Sequence, residues 1–329
     1  MRVGVIGVGR IGRHHAAIVA SHPDVDTVVV TDVDADRAHE TALAVGGEVA
    51  PDAATLLDRV DAVMITSPTD MHARHILQAV EARRPTFCEK PVALDLESTM
   101  EVVRRVQDTG VTVQIGFQRR FDAGYRAARD LVVSGALGRV YMARIIGHDP
   151  APPHEAYIPA SGGIFRDLHI HDFDIVQWTL GQDIVEVYAR GTVLVDPIFK
   201  QYDDVDTVAA VLTFSDGTLG VLTGGRHDPI GYDIRLELLG SGDSISVGWD
   251  ANTPLRSVEP GMPGAPAHPH NFFADRFAGA FRAELDHWVE VVQGRATNPT
   301  TVMDAERALR VALACDRSRR EGRAVVVGE

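Results

Sequence analysis

Residues 2–12 read RVGVIGVGRIG. An apolar strand over residues 3–7 runs into a glycine-rich turn, and residues 11–20 continue with a helical pattern. Gly7, Gly9 and Gly12 satisfy G-x-G-x-x-G at that junction. In such a turn the first glycine permits the tight bend and the second lets a pyrophosphate approach the backbone. The third lets helix and sheet pack closely. Arg10 and Ile11 open the helix, whose unpaired N–H groups would face the phosphates. Asp32 ends the next strand, twenty residues after Gly12. A carboxylate there accepts from both hydroxyls of the adenosine ribose and repels a 2′-phosphate. No arginine directly follows it, so NAD is the expected cofactor rather than NADP.

The alternation of strand and helix continues outward from this turn. Strand patterns at 28–31, 61–66, 86–88 and 113–116 interleave with helical ones at 36–45, 72–83 and 96–109. Strands this apolar are buried on both faces, as in parallel sheets covered by helices. Residues 1–121 therefore read as a doubly wound, NAD-binding Rossmann domain of α/β class. After 121 the pattern changes. A helix over 122–134, a strand over 140–146 and a buried helix over 164–180 precede strand-like runs at 185–193, 207–214, 218–223 and 232–239. Ser215-Asp216-Gly217 and Ser241-Gly242-Asp243 are turn sequences between them. Such a meander builds an antiparallel sheet with one face packed on the helix. Residues 252–270 are rich in Pro, Gly and His and read as a long loop. Helices over 272–293 and 303–321 close the chain. Residues 122–329 are expected to form an α+β domain for substrate binding and oligomerisation, with the last helix packing back on the first domain.

Composition bounds the chemistry. The 329 residues suit two domains, and 45% hydrophobic content is ample for their cores. A formal net charge of −14 repels polyanions, so nucleic acid is not an expected partner. Two cysteines, Cys88 and Cys315, do not suggest a disulfide framework, and a reducing cytoplasm fits. Arg2 leads straight into strand residues, so no leader is read, and no stretch is apolar and long enough to suggest a membrane span.

Three places carry reactive groups. Ser67, Pro68 and Thr69 leave the 61–66 strand, with His72 in the helix that follows. Ligands bind at such strand ends in open α/β sheets, so these four are expected to line the cofactor. Glu89, Lys90 and Pro91 leave the 86–88 strand where a nicotinamide would lie. An ammonium there can bond the reacting oxygen and stabilise a developing alkoxide, while the bland alternative is a surface lysine paired with Glu89. Residues 162–178, GGIFRDLHIHDFDIVQW, set Asp167 and His171 four positions apart. On one helix that spacing puts a carboxylate and an imidazole on one face, within an otherwise apolar segment. Histidine is the usual general base near neutral pH, and a carboxylate orients it. A satisfied structural pair is the competing reading. Asp172 and Asp174 are expected to be supporting or capping groups. A metal held by Asp167, His169 and His171 is disfavoured, because positions two apart on a helix point to different faces. His14 and His15 are expected to face outward or the cofactor.

These residues resemble the Gfo/Idh/MocA oxidoreductase family along nearly the whole chain. Glu89-Lys90-Pro91 and the GG-x-x-x-D-x-x-x-HD-x-D pattern at 162–174 are its specific marks. Within it the chain is most similar to inositol 2-dehydrogenases, through GFQRRFDAGY at 116–125, DPAPP at 149–153, GYD at 231–233 and DRFAGAF at 275–281. The resemblance implies a second domain built on an open, mainly antiparallel sheet, and commonly a homotetramer that pairs such sheets. It implies Lys90, Asp167 and His171 as the catalytic set. Gln118 and Arg119 would border nicotinamide and substrate, and Asp149 and Tyr232 match positions that contact the polyol. Ile230 and Phe281 stand where relatives often carry tyrosine, and His148 where arginine is usual, which leaves the polyol open. The expected reaction is NAD-dependent oxidation of a secondary alcohol of a cyclic polyol, myo-inositol first, without a metal. The alternatives are another cyclitol, an aldose or an anhydrosugar, and a catalytically silent NAD-binding sensor.

Overall fold

The glycine turn sits where the first sheet reverses its strand order. β1 (Arg2–Ile6), β2 (Thr27–Thr31), β3 (Glu48–Val49), β4 (Ala62–Ile65), β5 (Thr86–Glu89) and β6 (Val113–Gly116) form one sheet in the order β3-β2-β1-β4-β5-β6. Every neighbouring pair is parallel. Dinucleotides bind beyond the carboxyl ends of such strands, at the point between β1 and β4 where the order switches. The structure is a computed structural model describing residues 1–262 and 264–328. Asp34, Asp52 and Asp95 start three of the intervening helices by accepting from the backbone N–H of Arg37, Thr55 and Ser98. β3 and the six-residue helix Ala53–Asp58 are too short for a periodic pattern to reveal.

This unit comprises Met1–Gln118 together with Phe281–Arg307. The later segment closes the free edge of the sheet, where Thr300 and Asn298 bond the backbone of Ile115 and Val113. Trp288 is fully buried, edge-on to Phe87.

The second unit comprises Arg119–Ala280 and Ala308–Glu329. Its sheet contains β7 (Val140–His148), β8 (Ile184–Thr192), β9 (Thr207–Phe214), β10 (Leu219–Gly225), β11 (Asp233–Gly240), β12 (Ser244–Val247) and β13 (Val325–Val326), in the order β12-β11-β7-β10-β9-β8-β13. All neighbours are antiparallel except β7 and β10. That one parallel pair brings two strands to the same end of the sheet together. Along β9, Val208, Ala210, Leu212 and Phe214 are buried while Val211 is exposed. This alternation leaves one face covered, by helices Ala123–Val133 and Ile170–Leu180, and one face open. Tyr188, Val211 and Val221 are exposed on these strands.

The continuous helix expected over 164–180 is two helices, Ile164–Asp167 and Ile170–Leu180. The Ile164 carbonyl accepts from the N–H of both Leu168 and His169. The second bond spans five residues and inserts one residue into the turn, which ends the first helix. Asp167 and His171 therefore do not share a helix face in the way their spacing suggested. Helices Phe273–Arg276 and Ala278–Val292 likewise replace a single element expected at 272–293. Among the described residues no helix is long and apolar enough to cross a membrane.

Candidate active site

In the first unit the three glycines have distinct tasks. Gly7 has φ +89°, and a Cβ there would lie 2.6 Å from the Ser67 backbone. A Cβ on Gly12 would lie 2.1 Å from the Gly7 carbonyl oxygen and 2.7 Å from Thr66 Oγ1, so helix and sheet meet through hydrogen. A Cβ on Gly9 would meet nothing within 4 Å. The backbone is open there, at the start of helix Arg10–Ala20, which has no side-chain cap. This cradle fits a pyrophosphate. Asp32 is fixed behind it. Its Oδ2 accepts from Val8 N at 2.7 Å and its Oδ1 from Asp34 N at 3.0 Å. Arg37 Nη1 lies 3.4 Å from the same Oδ1, so a cation five residues downstream does reach this carboxylate.

Ser67, Pro68 and Thr69 follow β4, with Pro68 preceding helix Thr69–Glu81. His72 is anchored to the backbone of both neighbouring turns. It is 2% exposed, and its Nδ1 and Nε2 lie 2.7 and 2.8 Å from the carbonyl oxygens of Pro91 and Ser67. Burial holds its pKa below the usual value. With both nitrogens occupied, His72 ties together the two turns that carry Ser67 and Lys90. His15 departs from expectation. It is fully buried, with Nε2 2.7 Å from Glu89 Oε1. Burial works to raise the Glu89 carboxyl, but the His15 bond and the charges of His15 and Lys90 outweigh it and hold it below the usual range. His14 is half-buried against Phe281. Lys90 itself is half-buried at the end of β5, next to this pair. Cys88 is a buried free thiol, pushed up by burial, and packs as expected.

In the second unit, the parallel pairing of β7 and β10 delivers Asp149 and Arg226 side by side. Asp149 N donates to the Gly225 carbonyl, and Arg226 follows directly. Arg226 Nη1 lies 3.1 Å from Asp149 Oδ2 and 2.9 Å from Asp167 Oδ2. Tyr157 donates its hydroxyl to Asp167 Oδ1 at 2.8 Å. Burial and the neighbouring Asp167 push the Tyr157 hydroxyl upward. Burial also raises Asp149, against the pull of Arg226.

A second network centres on Asp172, the residue after His171. His169 is fully buried over Gly147 and Gly224, which are paired across β7 and β10. A Cβ on Gly224 would lie 2.0 Å from His169 Cε1, so the imidazole occupies the space of a missing side chain. His169 Nδ1 is 2.8 Å from Asp172 Oδ2, and Arg119 Nη1 donates to Asp172 Oδ1. Burial tends to raise the Asp172 carboxyl, but Arg119 and His169 together hold it below the usual range. Arg119 and Asp172 are each 1% exposed. Arg119, expected at the border of substrate, is thus an internal cation stacked over Phe277. Asp174 pairs with Arg120, whose Nε donates to Oδ2 at 2.9 Å. Asp172 and Asp174 are buried counter-ions rather than caps. His171 is half-buried in the first turn of helix Ile170–Leu180. Tyr232 is buried, its hydroxyl pushed upward by burial, and Asp149 keeps partial exposure. Gln118 is buried at the end of the first unit.

The metal triplet does not assemble, because His169 is committed to Asp172 and Asp167 to Tyr157 and Arg226. Among the described residues, the grouping with ligand-like spacing is His22, Asp24 and Glu290, and Arg295 already binds both carboxylates. Lys90 belongs to the first unit, and Asp167 and His171 to the second. Sequence reasoning missed Arg226, Tyr157 and the His15–Glu89 pair. The signal for Arg226 was an arginine directly after two glycines at a strand end.

Residues 1–117 match the Gfo/Idh/MocA model described as an oxidoreductase family with an NAD-binding Rossmann fold. Residues 125–246 match the Gfo/Idh/MocA C-terminal domain. The chain is 38% identical over 329 residues to the myo-inositol dehydrogenase Hyg17 of Streptomyces leeuwenhoekii, covering 98% of each. A crystal structure of a myo-inositol dehydrogenase from Corynebacterium glutamicum superposes with a TM-score of 0.91 at 35% identity, covering 100% of this chain and 99% of that one. A scyllo-inositol dehydrogenase from Lactobacillus casei, solved with bound NAD(H) and scyllo-inositol, superposes with a TM-score of 0.89 at 28% identity, covering 100% and 99%.

Proposed function

The chain belongs to the Gfo/Idh/MocA oxidoreductase family, and from that membership we propose how it works as an NAD-dependent dehydrogenase of a cyclitol. The observation that carries the reading is the full-length likeness to a dehydrogenase solved with NAD(H) and an inositol. Myo-inositol, oxidised to 2-keto-inositol, is the first candidate substrate. Residues 1–121, with 281–307 packed into the same unit, serve the cofactor, and the rest of 122–329 the substrate and assembly.

NAD, when bound, supplies the hydride acceptor. Gly7, Gly9, Arg10, Ile11 and Gly12 present the phosphate cradle, and Asp32 takes the ribose hydroxyls. Ser67, Pro68, Thr69, Glu89 and Gln118 border the cofactor, with His72 holding the turns in place. His171 accepts the hydroxyl proton on a ring nitrogen. Asp167 stabilises the resulting imidazolium, and Lys90 bonds the reacting oxygen as negative charge grows on it. Asp149 and Tyr232 hold the polyol, and Arg119 supports Tyr232 from within. The order of events follows the charges. The proton leaves toward the His171 imidazole, and the oxygen's charge develops toward the Lys90 ammonium.

Support for the Asp167 role comes from its surroundings, since Arg226 and Tyr157 both favour its ionised form. Phe281 packs on His14 and His15, at ring distances of 5.5 and 5.6 Å. The open sheet face with Tyr188, Val211 and Val221 supports pairing of copies into a tetramer. The test is a panel of inositol stereoisomers, aldoses and anhydrosugars followed by NADH absorbance. Turnover of myo- or scyllo-inositol is expected. Turnover of an aldose alone would reassign the substrate, and none with any polyol would favour a sensor.

A further inference from the structure

The buried arginines of the second unit bind acids in different ways, and Arg119 meets a single acid, Asp172, through Nη1 alone. Arg235 sets Nε and Nη2 against the two oxygens of Asp233, at 2.7 and 2.9 Å. Arg120 grips Asp174 in the same forked manner, through Nε and Nη2. That geometry satisfies both partners and is the usual form of a structural pair. Arg226 does something else. It places one nitrogen, Nη1, between oxygens of two different acids, Asp149 and Asp167. Its Nε and Nη2 are buried with no partner among the described residues. The arginine is 2% exposed. As a fastening device this is poor, because a buried donor left unmade is costly. As a way of holding two carboxylates at one point it is effective.

The groups facing this guanidinium come from several elements. Asp149 follows β7, and Asp167 ends helix Ile164–Asp167 with Tyr157 on its other oxygen. Asp204 adds a third acidic field, and His169 acts on Asp149 from the neighbouring network. Two carboxylates drawn this close in a buried setting cannot both stay ionised without a cation. Burial already raises Asp149 despite Arg226.

We propose that Arg226 is a positioning residue for the alcohol oxidation, holding the polyol-contacting Asp149 and the catalytic carboxylate Asp167 at fixed spacing with both ionised. The inference rests on the functional reading given above. β7 and β10 are the one parallel pair of their sheet, and this pairing is what brings Asp149 and Arg226 to the same end.

The test uses the full-length enzyme with NAD and the polyol found by the substrate panel. Arg226→Met should lower kcat by about a hundredfold, as misplaced catalytic groups do. It should also move the acid limb of kcat/KM to higher pH by about one to three units, because losing a nearby cation raises the proton affinity of every group around it. NAD titration by fluorescence should be unchanged. Arg226→Lys should restore the position of the limb and part of the rate. Asp149→Asn, which removes an anion, should move the limb the opposite way, to lower pH. A folded Arg226→Met enzyme with its limb at the wild-type position would overturn the proposal. Should Arg226→Met not fold, the lysine and Asp149 variants decide, and a limb unmoved in Asp149→Asn overturns it equally. A wild-type enzyme inactive on every polyol is seen before any variant is made. That result would remove the functional reading itself, and this inference with it.

Discussion

Replacing Asp172 with asparagine should cost the second unit a large part of its stability, and the size follows from what the carboxylate holds. Asp172 and Arg119 are each 1% exposed, and His169 is fully buried. Both carboxylate oxygens are used, one by Arg119 and one by His169 Nδ1. An amide keeps one acceptor, which Arg119 would take. Its N–H₂ would then face His169 Nδ1. To accept, the imidazole must carry its proton on Nε2, which is buried with no partner among the described residues. Arg119 meanwhile loses its counter-ion without gaining water. Removing one partner of a buried pair costs about 3–5 kcal/mol. Stability of native proteins is about 5–15 kcal/mol in all. At about 2–4 °C per kcal/mol for units of this size, the melting midpoint should fall by about 6–20 °C. Scanning calorimetry or circular dichroism measures it. Arg119→Met combined with Asp172→Asn should recover part of the loss, because no charge is then stranded. A midpoint within about 2 °C of wild type, the behaviour of an exposed pair, would refute the network as described. The same turn carries His171, so kcat should fall as well while NAD titration stays unchanged.

Asp32→Ala should narrow the preference for NAD at least tenfold in kcat/KM, because the ribose acceptor is lost and the carboxylate that opposes a 2′-phosphate goes with it, while Arg37 stays nearby on Asp34. Equal efficiency of the wild type with NADP would remove the assignment. Lys90→Met should lower kcat by about 10²–10³ with NAD titration intact, since its interaction strengthens as charge develops on the oxygen; a near-normal kcat would return Lys90 to an ordinary surface residue. Stability should also fall on mild acidification. Burial holds His72 and His148 below the usual histidine value. Between their folded values and about 6.5 the unfolded chain binds protons that the folded chain does not, so each contributes up to about 1.4 kcal/mol lost per pH unit as pH drops through that window. Urea midpoints at a series of pH values from neutral downward measure this, and a flat series would contradict it.

The first domain was legible because its signals are local. A glycine turn, an aspartate at the next strand end and apolar strands between amphipathic helices each report on a few neighbouring residues, and parallel topology follows from their alternation. What escaped were elements without periodicity, such as β3 and β13, and the partition of residues 281–307, which join the first unit through bonds to β6. A helix pattern says which face is apolar, not which unit that face meets. The break between Asp167 and Ile170 was hidden for a related reason. Ile164, Phe165, Leu168 and Phe173 keep the apolar composition of a helix through the break. The departure lies in one carbonyl accepting twice, which composition does not record.

The candidate site divides along the same line. Gly9 and Asp32 were readable because a short motif fixes their geometry. Arg226 was not, since its meaning depends on strand pairing between residues about eighty positions apart. His169 and His15 show the cost of reading histidines by exposure. Each looks available in sequence, and each is instead buried with a carboxylate partner, His169 with Asp172 three residues on and His15 with the distant Glu89. The polar groups nearest the proposed chemistry are therefore of two kinds. Lys90, Asp149 and His171 keep partial exposure. Arg119, Asp172, His169 and Arg226 are withdrawn and charged or polar in the interior. Burying such groups is unfavourable unless they are paired, and an apolar core would stabilise the fold at least as well. Their joint presence is better explained by the partly exposed groups of the same unit, since Arg226 bonds Asp149 and His171 directly precedes Asp172 in the chain. The Asp172→Asn measurement separates these views, because a purely stabilising network should lose melting temperature without losing kcat in the fraction that remains folded.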